Sequence, residues 1–464
     1  MAKSSRARPS HARQSLYYLL GAALQGMGAL LVQPFSIRIL DATQWGRVGL
    51  SAVLLQVGQV VLSAGLPLAI TRAYFGPSEG PTHARAINGA NIILSLTLSV
   101  LAAVGYFVLE PDRDIAITIS CAILATGLLS SVVSTQAILR SQGRALAFVL
   151  LSGGASLLSH LAGLLAISYI SPDSATYMAA FVVGMLATAI AGMALAPPLW
   201  PSKAKKAVRS AFRLGLPVLP HSFAIMLLMQ GDTFLVQHFQ DSESAGRYVA
   251  AAAFALGPFA ILSGLNNVWT ARILEASHGE HLGQTVRKVG NQTALVGGAI
   301  AIGASAAATL GMLVLKGEDH QVTQLAKVLP GAACGYALYL VAMSVMFARQ
   351  KTSAFTWVTP LLLVAGTVVA VIPAQGEQYW LLGAVKAATF AGLGMAYCIL
   401  AARMLPGFIP IRSFAAAAMA STVVIAANFL LPTTVSAGIV SAVLAAAAAA
   451  AGFFVLRKRG LASW

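Results

Sequence analysis

The chain has 464 residues, 58% of them hydrophobic and 9% charged, and its mean hydropathy is +0.79, whereas a soluble domain is about a quarter charged. This composition excludes a soluble enzyme or binding module and identifies an integral membrane protein. The formal charge of +16 would suggest nucleic acid in a soluble chain, but here the cations occupy short loops between apolar runs, where they orient spans in a bilayer, so no nucleic-acid partner is expected.

The basic N-terminus, MAKSSRARPSHARQ, leads into an apolar run from about Leu16 to Ile39. That run is longer than a signal-peptide core of roughly 7–15 residues and lacks a small-residue cleavage site, so it is retained as the first span. The stretch that follows, from Arg38 to Arg72, returns two hundred residues later. Without a gap, Asp41, Gly46, Arg47, Leu62, Ser63 and Arg72 align with Asp241, Gly246, Arg247, Leu262, Ser263 and Arg272. A period this long is not a solenoid unit and indicates two homologous halves.

Apolar runs of about 20 residues, enough to cross a hydrocarbon core of roughly 30 Å as a helix, predict fourteen helices. They lie near residues 15–39, 46–70, 86–109, 114–138, 146–170, 175–196, 211–237, 246–271, 289–315, 323–347, 354–373, 379–402, 413–431 and 435–456. Basic residues collect in every second loop, as in Arg72 and Arg85, Arg140 and Arg144, Lys203 to Arg213, and Arg287 and Lys288. The intervening loops hold the acids Asp41, Glu110, Asp112, Asp114, Asp173, Asp241, Glu243, Glu318, Asp319 and Glu377. By the positive-inside rule both termini are cytoplasmic in a multi-pass protein of the cytoplasmic (inner) membrane.

The segment PPLWPSKAKKAVRSAFR, Pro197 to Arg213, divides the chain. The expected fold is all-α and polytopic, with an N-terminal six-helix lobe (1–196), a cytoplasmic basic linker (197–210), a C-terminal six-helix lobe (211–403), and two peripheral helices with a basic tail (404–464). Six is even, so the lobes share one orientation, with the substrate path expected between them. Pro34, Pro67, Pro217, Pro220, Pro258, Pro330 and Pro360 sit in or beside the spans, either as ordinary membrane-helix composition or as hinges. Cys121, Cys334 and Cys398 lie in apolar runs without metal-ligand spacing and read as packing residues.

No catalytic motif is present: no Walker lysine loop, no HExxH, no nucleophile elbow and no pair of intramembrane acids to hold a divalent ion, so neither enzyme activity nor a cofactor is expected. Two charges fall inside helices, Asp232 in the seventh and Lys386 in the twelfth. Such residues face a partner or an aqueous cavity. They read either as a structural pair, or as a phosphate contact (Lys386) beside a protonatable coupling site (Asp232). His221, on the same helix as Asp232, and His160 titrate near neutral pH or simply bond within the bundle. Gln25, Gln56 and Asn267 are candidates to line a cavity in the leading helices of each half, with interhelical bonding as the alternative. Arg38, Arg72, Arg213 and Arg272 bracket spans. They set topology, or grip phosphate through the planar guanidinium fork.

The segments PFSIRILDATQWGRVG, LSAGLPLAITR, ILRSQGRALAFV, RLGLPVLPHSF, GDTFLVQHFQDSESAGRYV, FARQKTSAF and IPAQGEQYWLLGAV resemble the polysaccharide or O-antigen flippase family of the multidrug/oligosaccharidyl-lipid/polysaccharide exporter superfamily. The resemblance runs to about Arg403. It implies two six-helix lobes around a cavity that opens alternately to each side, carrying a polyprenyl-pyrophosphate-linked oligosaccharide between leaflets. It also implies that Asp232 corresponds to an acid common in the seventh helix, and that Arg38, Gly46 and Arg72 follow the first-half pattern. The partners implied are the lipid-linked oligosaccharide, membrane lipids, H+ or Na+, and polysaccharide polymerase or assembly proteins. The interior of the first helix offers Gln25 where related lipid II flippases hold a charge cluster, a departure that counts against that branch. The alternatives are a multidrug/cation antiporter of the same fold, and a membrane-embedded glycan polymerase or acyltransferase, which calls for a large outer loop.

Overall fold

Aspartates start the helices at one end of the molecule. In the computed structural model, which describes residues 11–75, 80–276, 281–314, 320–349, 351 and 354–458, the carboxylate of Asp41 accepts from the Gln44 N–H at 2.7 Å, Asp173 from Thr176 at 2.7 Å and Asp241 from Ser244 at 2.7 Å, while Asp112 caps Asp114 and Ile115. Each satisfies orphan donors of a first turn and complements the helix dipole. The alternation of acids along the chain therefore has a local cause as well as a topological one. Lys3, Arg6, Arg8, Lys316, Glu318, Asp319 and Arg459 lie outside the described residues.

Among the described residues fourteen rods result: α1 (His11–Ile39), α2 (Ala42–Ser63), α3 (Pro81–Leu109), α4 (Arg113–Ser141), α5 (Ala145–Tyr169), α6 (Ser174–Leu195), α7 (Leu219–Gln230 and Asp232–Phe239), α8 (Ser242–Ala276), α9 (Leu282–Val314), α10 (His320–Ala348), α11 (Phe355–Gln375), α12 (Tyr379–Met404), α13 (Ile411–Leu430) and α14 (Val435–Lys458). Twelve of the described helical segments are long and apolar enough to cross a membrane, so the chain is a multi-pass membrane protein. Among the described residues there is no strand.

Three local departures shape the interior. The second span is expected to run through residue 70, but α2 stops where Ala64 (φ 47°) and Gly65 (φ 68°) turn left-handed; a separate short helix, Leu66–Phe75, follows. The basic linker is itself structured: Lys205–Gly215 is an amphipathic helix, with lysines and arginines on one face and buried Ala207 and Ala211 on the other. α5 carries a π turn at Gly154–Leu158, a local widening of the helix common at functional sites.

Two separate apolar cores form. One draws on buried side chains from Leu40 to Ala211, the other on side chains from Ile225 to Phe414. α13 and α14 pack mainly on α9, at the edge of the second core. The lobes touch through their leading helices, α1 and α2 against α8, and α2 against α7. α2 meets the other lobe at both ends. At the acidic end Gly49 packs on Val249, and at the basic end Gly65 packs on the backbone of Gly215. Nearby, the Gln33 amide of α1 donates to the Ala250 carbonyl at 3.2 Å.

Candidate functional site

Between these contacts the lobes enclose a cavity of about 420 Å³. Gln25 of α1, Gln56 of α2, Gln136 and Arg140 of α4, His160 of α5 and Tyr177 of α6 line one wall; Met229 and Gln230 of α7 and Phe259 and Ser263 of α8 line the other. Carboxamides both donate and accept hydrogen bonds, the capacity that sugar hydroxyls require. Among the described lining residues no aspartate or glutamate appears, and Arg140 is the one lysine or arginine.

The wall is held in place from behind. Gln136 donates to the Ser152 hydroxyl at 2.9 Å. His160 Nδ1 bonds the Tyr177 hydroxyl at 2.8 Å, and its ring packs edge-on against Phe181, centroids 4.9 Å apart. On the opposite side, Lys386 Nζ lies 2.7 Å from Asp232 Oδ2 and donates to the Met229 carbonyl at 2.8 Å. Tyr248 donates to the same carboxylate at 2.8 Å. Since Met229 lines the central cavity, this ion pair stands directly behind its wall. The pair is almost fully enclosed, with side chains 3% (Lys386) and 15% (Asp232) exposed, so each charge depends on the other. It borders a separate apolar cavity of about 400 Å³ among α7, α11 and α12.

His221 occupies a different cluster. Nδ1 bonds the Thr359 hydroxyl at 2.9 Å and Nε2 the Tyr339 hydroxyl at 2.9 Å. Thr359 in turn bonds Tyr397 at 2.8 Å, and the imidazole stacks on Phe355 at 5.0 Å. One side chain thus ties α7 to α10, α11 and α12.

Of the residues singled out by sequence, Gln25 and Gln56 line the central cavity. Asp232 and Lys386 meet each other, and His221 meets its hydroxyl partners. Arg38, Arg72, Arg213 and Arg272 are exposed near helix ends and are absent from the described lining. Asn267 is on α8, with its side chain outside the described residues. Sequence pattern counts Arg140 only among the topology-setting cations. A signal was present, because Val133, Gln136 and Arg140 recur at helical spacing and line the same cavity. Among the described residues no three His, Cys, Asp or Glu side chains gather to hold a metal ion.

A family profile described as "Polysaccharide biosynthesis protein" matches residues 12–273. Among solved structures, the chain is similar to the inward-facing conformation of a multidrug resistance MATE family transporter of the MOP superfamily (16% identity, TM-score 0.62, covering 84% of this chain and 95% of that one). It is also similar to a MOP superfamily transporter from Pyrococcus furiosus with a binding pocket of reversed polarity (14% identity, TM-score 0.59, covering 89% and 95%). An outward-facing MATE family transporter aligns at 13% identity with a TM-score of 0.58, covering 89% and 95%. These likenesses establish a shared fold. No curated protein matches the chain.

Proposed function

We propose, from the premise that the chain belongs to the polysaccharide biosynthesis protein family, that this membrane transporter is an alternating-access carrier moving a polyprenyl-pyrophosphate-linked oligosaccharide between leaflets for surface polysaccharide assembly. The observation that carries the reading is the amide-lined inter-lobe cavity, with Arg140 as its lysine or arginine and no described carboxylate in its wall. Export of organic cations calls for a free acid facing the cavity. Asp232, which stands behind the cavity wall, already holds Lys386, which favours the anionic, sugar-bearing substrate over the multidrug alternative.

Several further assignments belong to this reading. The basic end, marked by Arg72, Arg140, Arg213 and Arg272, faces the cytoplasm of the inner membrane. The two six-helix lobes, 1–196 and 211–403, rock about the contacts of α1 and α2 with α7 and α8. Coupling to H+ or Na+ resides in the second lobe, at His221 and at Asp232 with Lys386, where a change of charge acts on the wall-forming helix α7. Arg72 and Arg272 stand at the inner mouth, where anionic substrate first arrives.

The test is reconstitution in vesicles with a fluorescent polyprenyl-pyrophosphate sugar. Leaflet exchange well above protein-free vesicles is expected. Exchange equal to that of empty vesicles would remove the reading.

A further inference from the structure

We propose that Arg140 is the phosphate-gripping residue of a side entrance through the first lobe, holding an anionic lipid so that its polar head lies in the inter-lobe cavity and its hydrocarbon chain leaves toward the membrane. The proposal rests on the carrier reading above and adds to it a residue and a route.

Arg140 borders two cavities at once. It lines the central one and also a second of about 390 Å³, formed with Pro67, Leu68, Thr71, Phe75 and Ser141. The second cavity follows from the backbone. The left-handed residues Ala64 and Gly65 end α2 and redirect the chain into Leu66–Phe75, while α4 ends at Ser141. A gap therefore remains between the short helix and the end of α4. Its outer wall is apolar, with Leu68 60% and Phe75 68% exposed, as suits contact with lipid chains.

The arginine is placed but not consumed. Its backbone carbonyl accepts from Tyr18 at 3.5 Å, and its guanidinium carbon stands 5.6 Å from the centre of the Phe148 ring, a cation–π contact that fixes the head group. Among the described residues no carboxylate pairs with it. A guanidinium fork so held keeps N–H donors for a planar, bidentate grip on phosphate.

The chemical class follows from what meets at this one cation. A sugar alone has no need of the charge, and a hydrocarbon has no need of the amides. A free phosphate has no need of the apolar side cavity. An amphiphile with phosphate between a polar head and a long apolar chain uses all three.

The test titrates the purified full-length protein in detergent with farnesyl pyrophosphate and, separately, inorganic pyrophosphate, by calorimetry. Arg140→Gln should weaken both ligands by about tenfold or more, and Arg140→Lys, which keeps the charge but not the fork, by a smaller factor. Thr71→Trp, which fills the side cavity, should weaken farnesyl pyrophosphate and leave inorganic pyrophosphate unchanged. Thermal melts near that of the parent certify folding, and the lysine variant carries the test where the glutamine variant fails to fold. Parent-like affinity in Arg140→Gln, or in Arg140→Lys where only that variant folds, overturns the phosphate assignment. Equal affinity of the parent for the two ligands, with Thr71→Trp neutral, marks a free-phosphate site and overturns the side entrance. Vesicle transport separates the two readings. Parent-like flipping by Arg140→Gln removes this site and leaves the carrier. Absence of flipping by the parent, with Arg140-dependent farnesyl pyrophosphate binding intact, removes the carrier and leaves the site.

Discussion

Gly46 and Gly246, equivalent positions of the internal repeat, meet backbone to backbone across the lobe interface. A Cβ on Gly46 would stand 1.8 Å from the Ser242 carbonyl oxygen, and one on Gly246 would stand 2.4 Å from that of Ala42 and 2.8 Å from the Gly46 nitrogen. The contact is self-complementary, as pseudo-twofold symmetry requires. It closes the acidic end, next to the caps formed by Asp41 and Asp241. Gly46→Val should therefore part the lobes there, at a cost of about 1–3 kcal/mol from overpacking, and slow transport. A cysteine placed at Ala250, where Gln33 bonds across the interface, should react faster with a membrane-impermeant maleimide in the valine variant. An unchanged labelling rate would mean that the lobes separate without strain at this contact.

The same end should weaken in acid. The Asp241 carboxyl is held below the usual carboxylate range, first by the Ser244 backbone N–H and then by the Ser244 hydroxyl, with Arg247 nearby adding to the effect. Because the folded value is depressed, the stabilisation is present above the unfolded value of ~3.9 and is lost as pH falls through the folded one. Asp241→Ala should lower stability by about 1 kcal/mol near neutrality, the usual worth of an N-cap, and by much less in strong acid. Thermal melts of parent and variant between pH 7 and 3 check this. A constant difference across that range would show that the charge does not contribute.

Lys386 and Asp232 form the most consequential buried contact in the second lobe. Removing the cation by Lys386→Ala leaves a carboxylate enclosed in the membrane that, among the described residues, keeps the Tyr248 hydroxyl as its donor, and is expected to cost about 3–5 kcal/mol. The double replacement Lys386→Met with Asp232→Leu removes both charges and should recover most of that stability. Thermal unfolding in detergent compares the three proteins. If the double variant recovers stability and still transports, the pair is structural. If it recovers stability but loses transport, the charges serve the cycle.

Much of the fold could be read directly from sequence, because hydropathy and loop charge report the bilayer itself: each span needs about 20 apolar residues and each loop keeps its side. The repeat was readable for the same reason, since Asp41 and Asp241 perform one local task twice. Helix facing was harder to read. Arg72, Arg213, Arg272 and Arg140 all sit near basic helix ends, and nothing in their charge or spacing from the loops says which one borders the central cavity. That depends on the packing of α4 against α3, α2 and α6, a long-range property. The interruption after Ser63 was hidden similarly: Ala64 has no intrinsic preference for left-handed backbone, yet it adopts φ 47° where the redirected chain meets Gly215. Lys386 and Asp232 were identifiable, and their pairing was one of two readings, because an intramembrane charge is rare, but the bond from Lys386 to the Met229 carbonyl was not.

His221 offers the sharpest test of coupling. Its two nitrogens bond hydroxyls on two other helices, Thr359 on α11 and Tyr339 on α10; in the neutral ring one nitrogen donates and the other accepts, so protonation would force the hydroxyl that donates to the bare nitrogen to turn its lone pair toward the ring and would reorganise the cluster that includes Tyr397. His221→Phe leaves those buried hydroxyls short of a partner and should destabilise the protein by about 1–3 kcal/mol. His221→Gln retains a donor and an acceptor but cannot take up a proton in the working range. In vesicles bearing an imposed pH gradient, the glutamine variant should exchange lipid at a rate that no longer responds to the gradient, while exchange without a gradient stays near that of the parent. A response to the gradient that survives in His221→Gln would confine His221 to a packing role and leave Asp232 with Lys386 as the remaining coupling site in this reading.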